Sequence, residues 1–224
     1  QVLAKMYGSG KIIPATVTFV DIAGLVAGAS KGEGLGNKFL ANIRQCDAIV
    51  HIVRAFENHD IVHVEDSVHP QRDIETINTE LILADLQTLE TRLAKCQKEA
   101  KADPKVRELA SQLEQLKTDL ESGVIAIDST HYNPELTHDL HLLTAKPVIY
   151  VYNVNEETLT DATTKAALTE LAGSHPALFI CAKLEDELKG LAPSDAQELL
   201  ESYDVKEAGL AQLIHAAYDT LGLQ

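Results

Sequence analysis

The chain has 224 residues, 45% of them apolar and 24% charged, the proportions of a folded globular protein and not of a disordered one. Its 19 basic and 34 acidic side chains leave a net charge of −15, which argues against nucleic acid wrapped over the whole surface while leaving room for a local basic patch. No apolar run is long enough to cross a bilayer, so no membrane partner is expected, and the odd set of Cys46, Cys96 and Cys181, with none in a CxxC pair, fits a reducing, cytoplasmic setting.

Residues 16–21 (TVTFVD) form a β-branched run that predicts a first strand, and the run stops at a cluster of glycines. Gly24, Gly28, Gly32, Gly34 and Gly36 are five of the 12 glycines in the chain, a density that no helix or strand sustains. A helix is predicted over 37–44 and a second apolar strand over 48–56 (AIVHIVRAF). Further on, 148–153 (VIYVYN) after Pro147 and 177–181 (ALFIC) after Pro176 predict two more strands, with helices over 162–172, 195–202 and 207–221. Near-continuous apolar strands alternating with helices imply an α/β fold whose mostly parallel sheet is covered on both faces.

The middle of the chain keeps a different rhythm. Leu86, Leu89, Leu93, Cys96 and Ala100 recur at three-four spacing, and after Asp103-Pro104 the pattern resumes at Val106, Leu109, Leu113, Leu116 and Leu120. Asp103 suits an N-cap and Pro104 a first helical position, so an antiparallel α-helical hairpin with a coiled-coil-like seam is predicted from about 73 to 123. The expected organisation is a first part over 1–72, an inserted hairpin over 73–140 and a return to the sheet over 141–224. Between Arg92 and Lys117 there are seven bases and four acids, a net +3, against −18 for the rest of the chain. A solvated helix face explains such charge as well as a polyanion-binding prong does. On the second reading Arg92, Lys95, Lys98, Lys101 and Lys105 are the binding residues.

Chemistry-bearing residues stand at the predicted strand ends. Asp21-Ile22-Ala23-Gly24 follows the first strand, where in phosphate-binding α/β folds an Asp holds Mg²⁺, usually through water, and a Gly lets a backbone N–H approach the terminal phosphate. Asn153-Val154-Asn155-Glu156 closes the third predicted strand, where base-recognition loops sit, and an Asn amide can both donate and accept at a purine edge. Guanine recognition normally uses an Asp in the fourth place, and Glu156 is one methylene longer. Cys181-Ala182-Lys183, after the fourth strand, is similar to the SAK loop that backs the base. The nine histidines show no metal-ligand spacing, and Ser129-Thr130-His131 has no nucleophile-elbow context.

This order of motifs is where a family emerges. DIAGLVAGASKGEGLGNKFLANIR, then FENHDIVHVE and DIETINTELILADL, closely resembles the YchF branch of the Obg-like ATPases, along essentially the whole chain. The resemblance implies a P-loop NTPase domain carrying an inserted helical hairpin, a C-terminal TGS domain, ribosome association and slow ATP hydrolysis. NVNE matches the family's NxxE loop, which implies ATP in preference to GTP. Carried across, Asp21 organises Mg²⁺, Gly24 senses the γ-phosphate, Asn153, Val154, Asn155 and Glu156 line the base site, and Cys181, Ala182 and Lys183 lie behind it. Leu25 stands where many GTPases of this superfamily have a water-orienting Gln. A Leu cannot hydrogen-bond water, so slow turnover is expected and no residue is assigned as catalytic.

No G-x-x-x-x-G-K-[ST] occurs; Gly8-Ser9-Gly10-Lys11 lacks the second spacing and the Ser/Thr. The family places its P-loop upstream and its TGS domain downstream. The chain, opening at Gln1, is therefore expected to be the middle of a longer protein, a monomer, and all but inactive by itself. The leading expectation is a ribosome- or rRNA-associated ATP-binding switch. Its rivals are a GTPase of the same fold and a non-catalytic RNA-interaction module whose working part is the basic hairpin.

Overall fold

The computed structural model describes residues 6, 8, 15–22, 35–58, 67–99 and 104–223. Three parallel strands, β1 (Ile49–Arg54), β2 (Val148–Asn153) and β3 (Ala177–Ile180), stand in the order 1-2-3. The register pairs Ile49 with Val148, Arg54 with Asn153, and Asn153 with Ile180, so all three strands end at one rim. Helix α1 (Leu35–Gln45) precedes β1. Helices α2 (Pro70–Glu99) and α3 (Pro104–Glu121) fill the crossover from β1 to β2, with a short α4 (Pro134–Thr137) on the way back. After β2 come α5 (Glu156–Thr160) and α6 (Ala162–Ala172), and after β3 come α7 (Ala182–Leu188), α8 (Pro193–Ser202) and α9 (Gly209–Thr220).

The unbroken apolar run of β2 follows from its place in the middle. Val148, Tyr150 and Tyr152 turn to a core built with Leu159, Leu168, Ala172, Leu184 and Leu200, while Ile149 and Val151 turn to Ala217 and Leu213 of α9. Alternation cannot show when both faces are buried. Helices α2 and α3 are antiparallel: Gln97 meets Glu114 while Glu90 meets Lys117. Leu89, Leu93 and Cys96 interlock with Leu113, Leu116 and Leu120, all six buried. Ala100 lies outside the described residues. The hairpin helices span three residues more than expected at the first end, because Pro70 is itself a favourable helix opener.

One expectation is corrected. Residues 15–22 carry no strand, although their β-branched run predicts one. A strand is defined by its ladder, and among the described residues the only ladders are β1 with β2 and β2 with β3, so 15–22 joins none. Val17 packs below the sheet near Ile149 and Val151, whereas Phe19 and Val20 are exposed, as is Ile52 of β1 at 68%.

A knot of polar contacts ties the hairpin base to the start of β2. Asp85 is fully buried, and its carboxylate accepts from Leu143 N–H and Thr144 N–H, both at 2.8 Å, and from the Thr144 hydroxyl at 2.7 Å. The Thr144 hydroxyl in turn accepts from Ala126 N–H. Lys146 Nζ donates to the carbonyls of Arg44 and Cys46, and Arg44 reaches Thr88 at 3.4 Å. The Asn78 side chain meets the Tyr150 hydroxyl from α2.

Candidate functional site

The closing ends of β2 and β3 are each followed at once by a helix, which is what brings their loops together. Asn155 caps α5: its Oδ1 accepts from Thr158 N–H at 3.1 Å and from the Thr158 hydroxyl at 2.6 Å. Asn155 is therefore held in a structural bond. Cys181, buried at the end of β3, stands at the N-cap of α7 without a side-chain cap bond, so the first turn of α7 begins at Ala182.

Asn153 closes β2 and bridges to that turn, its Oδ1 accepting from Ala182 N–H at 3.3 Å. The bond holds the amide at the rim with Nδ2 left over as a donor. Val154 N–H donates to Ile180 carbonyl at 2.9 Å, and the Val154 side chain is buried in the core. Val154 and Cys181 thus shape the rim from beneath.

Across the rim, Lys183 Nζ stands 2.8 Å from Glu156 Oε1. The hydrogen bond from Lys183 holds the Glu156 carboxyl below the usual carboxylate range, and Glu156 holds the Lys183 ammonium above its usual one. A second carboxylate, Glu187, lies 4.0 Å from Lys183 one turn along α7. Lys183 is 70% exposed and Glu156 30%, so the pair sits in solvent and its effect is on the availability of the carboxylate more than on stability.

Of the sequence-derived candidates, Asn153, Glu156, Ala182 and Lys183 come together at one rim. Asp21 is exposed, and among the described residues no contact joins it to that rim; its neighbour Ile22 packs with Leu40, Ile43 and Leu81 of α1 and α2. Gly24, Leu25, Lys101 and most of the Gly8–Lys11 stretch lie outside the described residues. Among the described residues no three His, Cys, Asp or Glu side chains gather as metal ligands. Mg²⁺ needs few: it keeps most of its waters and takes one or two carboxylates beside substrate phosphates, so a lone Asp21 fits a water-mediated contact.

The basic residues divide. Lys117 is taken up by Glu90 at 3.0 Å and Glu121 at 3.5 Å, which raises its ammonium above the ordinary range. Arg92 faces Asp139 at 3.6 Å, while Lys95 and Lys98 are exposed. Ser129 and His131 form no hydrolase triad, because both turn to one carboxylate: Asp119 Oδ2 accepts from the Ser129 hydroxyl at 2.5 Å and lies 2.7 Å from His131 Nδ1. Sequence reasoning missed the Lys183–Glu156 pair, 27 positions apart, and Asp85; the only sequence signal for Asp85 is an acid standing in the apolar rhythm Ile82, Asp85, Leu89.

Comparison with known proteins gives the same placement. A family profile described as 50S ribosome-binding GTPase matches residues 4–89. The ribosome-binding ATPase YchF of Bacillus subtilis is 45% identical over 232 residues, covering 100% of this chain and 63% of that protein. Its counterparts in Pasteurella multocida and Escherichia coli O157:H7 are 44% and 40% identical, each covering 99% of this chain and 62% of the relative. The solved structure of the Schizosaccharomyces pombe YchF GTPase superposes with a TM-score of 0.74 at 31% identity, over 98% of this chain and 62% of that one. The chain thus spans somewhat under two thirds of the length of these relatives. With its parallel sheet, its inserted antiparallel hairpin and its NVNE rim, the chain belongs, over the region it spans, to the YchF family of Obg-like ATPases.

Proposed function

We propose that the chain is the nucleotide-base and hairpin portion of a cytoplasmic, ribosome-associated switch protein that binds ATP and hydrolyses it slowly. The observation that carries adenine over guanine is the Lys183–Glu156 pair. Guanine recognition asks a carboxylate to accept from two N–H groups on the base. At this rim the carboxylate already accepts from an ammonium, and a guanine would have to displace it. Adenine makes no such demand: the Asn153 Nδ2 donor and free lone pairs suit its N7 and N6 amine, and Ala182 lies behind. At the phosphate end Asp21 would hold Mg²⁺ through water and Gly24 would meet the γ-phosphate, the metal neutralising phosphate charge when bound. Leu25 offers the attacking water no hydrogen bond, which is the reason for slow turnover. Three relatives carry the name ribosome-binding ATPase, which supports both the nucleotide and the partner.

A GTPase is the second reading. It is favoured by the ionised state of Glu156 and by the description of the Schizosaccharomyces pombe structure. Titrating the full-length protein with ATP and GTP decides between them. ATP binding at least tenfold tighter than GTP is expected, with Glu156→Asp gaining GTP affinity strongly; equal or tighter GTP binding by the unaltered protein overturns the adenine assignment.

A further inference from the structure

Helices α7 and α8 each turn one face to the core, Leu184 and Leu188 from the first and Leu199 and Leu200 from the second. An open groove of about 630 Å³ runs between them. Glu187 lines it from α7, Asp195, Glu198, Leu199 and Ser202 line it from α8, and Leu191 lines it from the turn between the two helices. Counted from Asp195, the α8 positions are three, four and seven apart, so they make one stripe. Leu191 is 40% exposed and Leu199 is half-buried, so apolar surface stands among the carboxylates. Charge is one-sided here: between Leu184 and Asp204 there are seven acids and one base. That base, Lys189, is held by Asp186 at 3.0 Å, and Lys183 gives its hydrogen bond to Glu156 and stands only at 4.0 Å from Glu187. Among the described residues no ion pair takes up Asp195, which accepts from the Ser194 hydroxyl, or Glu198.

We infer that this groove is a docking site for a basic amphipathic helix of a protein partner. The inference goes beyond the nucleotide reading and does not rest on it. Charge and shape select the occupant together. The carboxylates repel a polyanion, and a small cation gains nothing from the exposed leucine. A helix with Leu, Ile or Met along one stripe and Lys or Arg beside it matches both features. Its apolar anchors cover Leu191 and Leu199, and its cations meet Glu187 on one wall and Asp195 and Glu198 on the other. Asp195 and Glu198 stand one turn apart, a rise of about 4.5 Å, so cations three or four residues apart on the partner answer them. Long Lys and Arg stems also cover apolar surface while their heads reach carboxylates at the edge. With 10 residues, α8 is about 15 Å long, which gives a contact of two to three turns and an interface of the transient class. A merely solvated acidic face would account for Asp195 and Glu198 but not for Leu191, which stays exposed while Leu184 and Leu200 are buried.

The test is fluorescence anisotropy of the full-length protein with a labelled peptide of about a dozen residues, Leu at i, i+3, i+4 and i+7 and Lys elsewhere. Micromolar binding is expected. A peptide of the same composition with its leucines scattered around the helix should bind at least fivefold more weakly. Glu198→Lys should weaken binding of the first peptide at least fivefold, and Leu191→Gln at least threefold. Glu170→Lys, the same charge change at an exposed position of α6 outside the groove, should have no more than a twofold effect. A peptide with Glu in place of Lys should bind the Glu198→Lys protein more tightly than the unaltered one, a gain that misfolding cannot produce. Equal losses from Glu170→Lys and Glu198→Lys show general attraction to an acidic protein and overturn the groove. Equal binding of the scattered peptide overturns the amphipathic helix as occupant. Full displacement by spermidine at matched ionic strength shows a polyamine site and overturns the protein partner. Absence of binding to the full-length protein shows the groove covered or inert and overturns the proposal.

Discussion

Replacing Asp85 by alanine would orphan two backbone donors at once. Leu143 N–H and Thr144 N–H both end on its carboxylate at 2.8 Å, and both residues are buried, so water does not take over the bonds. A buried donor left without a partner costs about 1–3 kcal/mol, so the pair comes to roughly 2–6 kcal/mol. The Thr144 hydroxyl, at 2.7 Å, can turn elsewhere and adds about 1 kcal/mol or less. Against this stands the relief of no longer burying a carboxylate, since burial pushes the Asp85 carboxyl above the usual carboxylate pKa range in spite of the three donors. Weighing these, about 3–4 kcal/mol is lost in Asp85→Ala, in the range found for breaking buried charged networks. Asp85→Asn keeps one acceptor but presents an amide N–H₂ to a donor, and should lose about 2 kcal/mol. Urea unfolding followed by circular dichroism measures both, and a double-mutant cycle with Thr144→Val should show a coupling of about 1 kcal/mol. The pH dependence gives a second check. A carboxyl whose folded acidity is weakened keeps its proton to higher pH than in the unfolded chain, so stability falls as pH rises from the ordinary value near 4 to the folded one. Asp85→Asn should lack that slope. A cost below about 1 kcal/mol for Asp85→Ala would refute the staple and the satisfaction argument behind it.

Three further outcomes are expected. His51 is pushed down to about 4 by burial, so its protonation opposes folding: stability should fall as pH drops from 6.5 towards 4, by no more than about 3 kcal/mol, and His51→Gln should flatten urea midpoints across that window. Lys183→Met frees the Glu156 carboxylate, and GTP affinity measured by competition should rise threefold to tenfold with ATP affinity unchanged within twofold; GTP binding that stays flat would deny the pair any part in base choice. Gly209→Ala would put a Cβ 2.7 Å and 2.9 Å from the Ile180 side chain, costing about 1–3 kcal/mol, read by calorimetry as a drop of some 2–4 °C per kcal/mol.

How much of this was legible beforehand depended on whether the signal was local. The strand Val148–Asn153 and the helix Ala162–Ala172 are where the sequence places them, since Pro147 bounds one and Asp161 caps the other through Thr163 N–H. The hairpin was legible because its seam repeats over two long helices. Helices α5 and α7 were not, since five and seven residues hold too little of a 3.6-residue period to register. Their absence from the reading left the N-cap role of Asn155 unseen. The strand over 16–21 failed for the opposite reason: β-branched residues signal propensity, but a ladder needs a neighbour. Rim residues were found because each motif sits at a strand end, whereas the Lys183–Glu156 bond exists only once β2 and β3 are side by side.

The rim and the hairpin base lie at opposite ends of the sheet. Asn153 and Ala182 are at the closing ends of β2 and β3, whereas Arg44 and Asp139 come before β1 and β2 open. A strand of six residues separates the two levels by roughly 20 Å, too far for direct electrostatics through salt water. An 11-residue helix is about 16 Å long, and α1 is the element with the right ends: its N-terminus follows directly on the glycine-rich segment and its C-terminus carries Arg44. At that C-terminus Lys146 holds the Arg44 and Cys46 carbonyls, and Arg44 holds Thr88. Below it, Leu40 and Ile43 pack on Leu81 and Ala84 of α2, so α1 and the hairpin share one apolar cluster. Asp85 stands beside that contact in sequence and ties α2 to Leu143 and Thr144, just ahead of β2, so the hairpin base, α1 and the sheet are joined at one place.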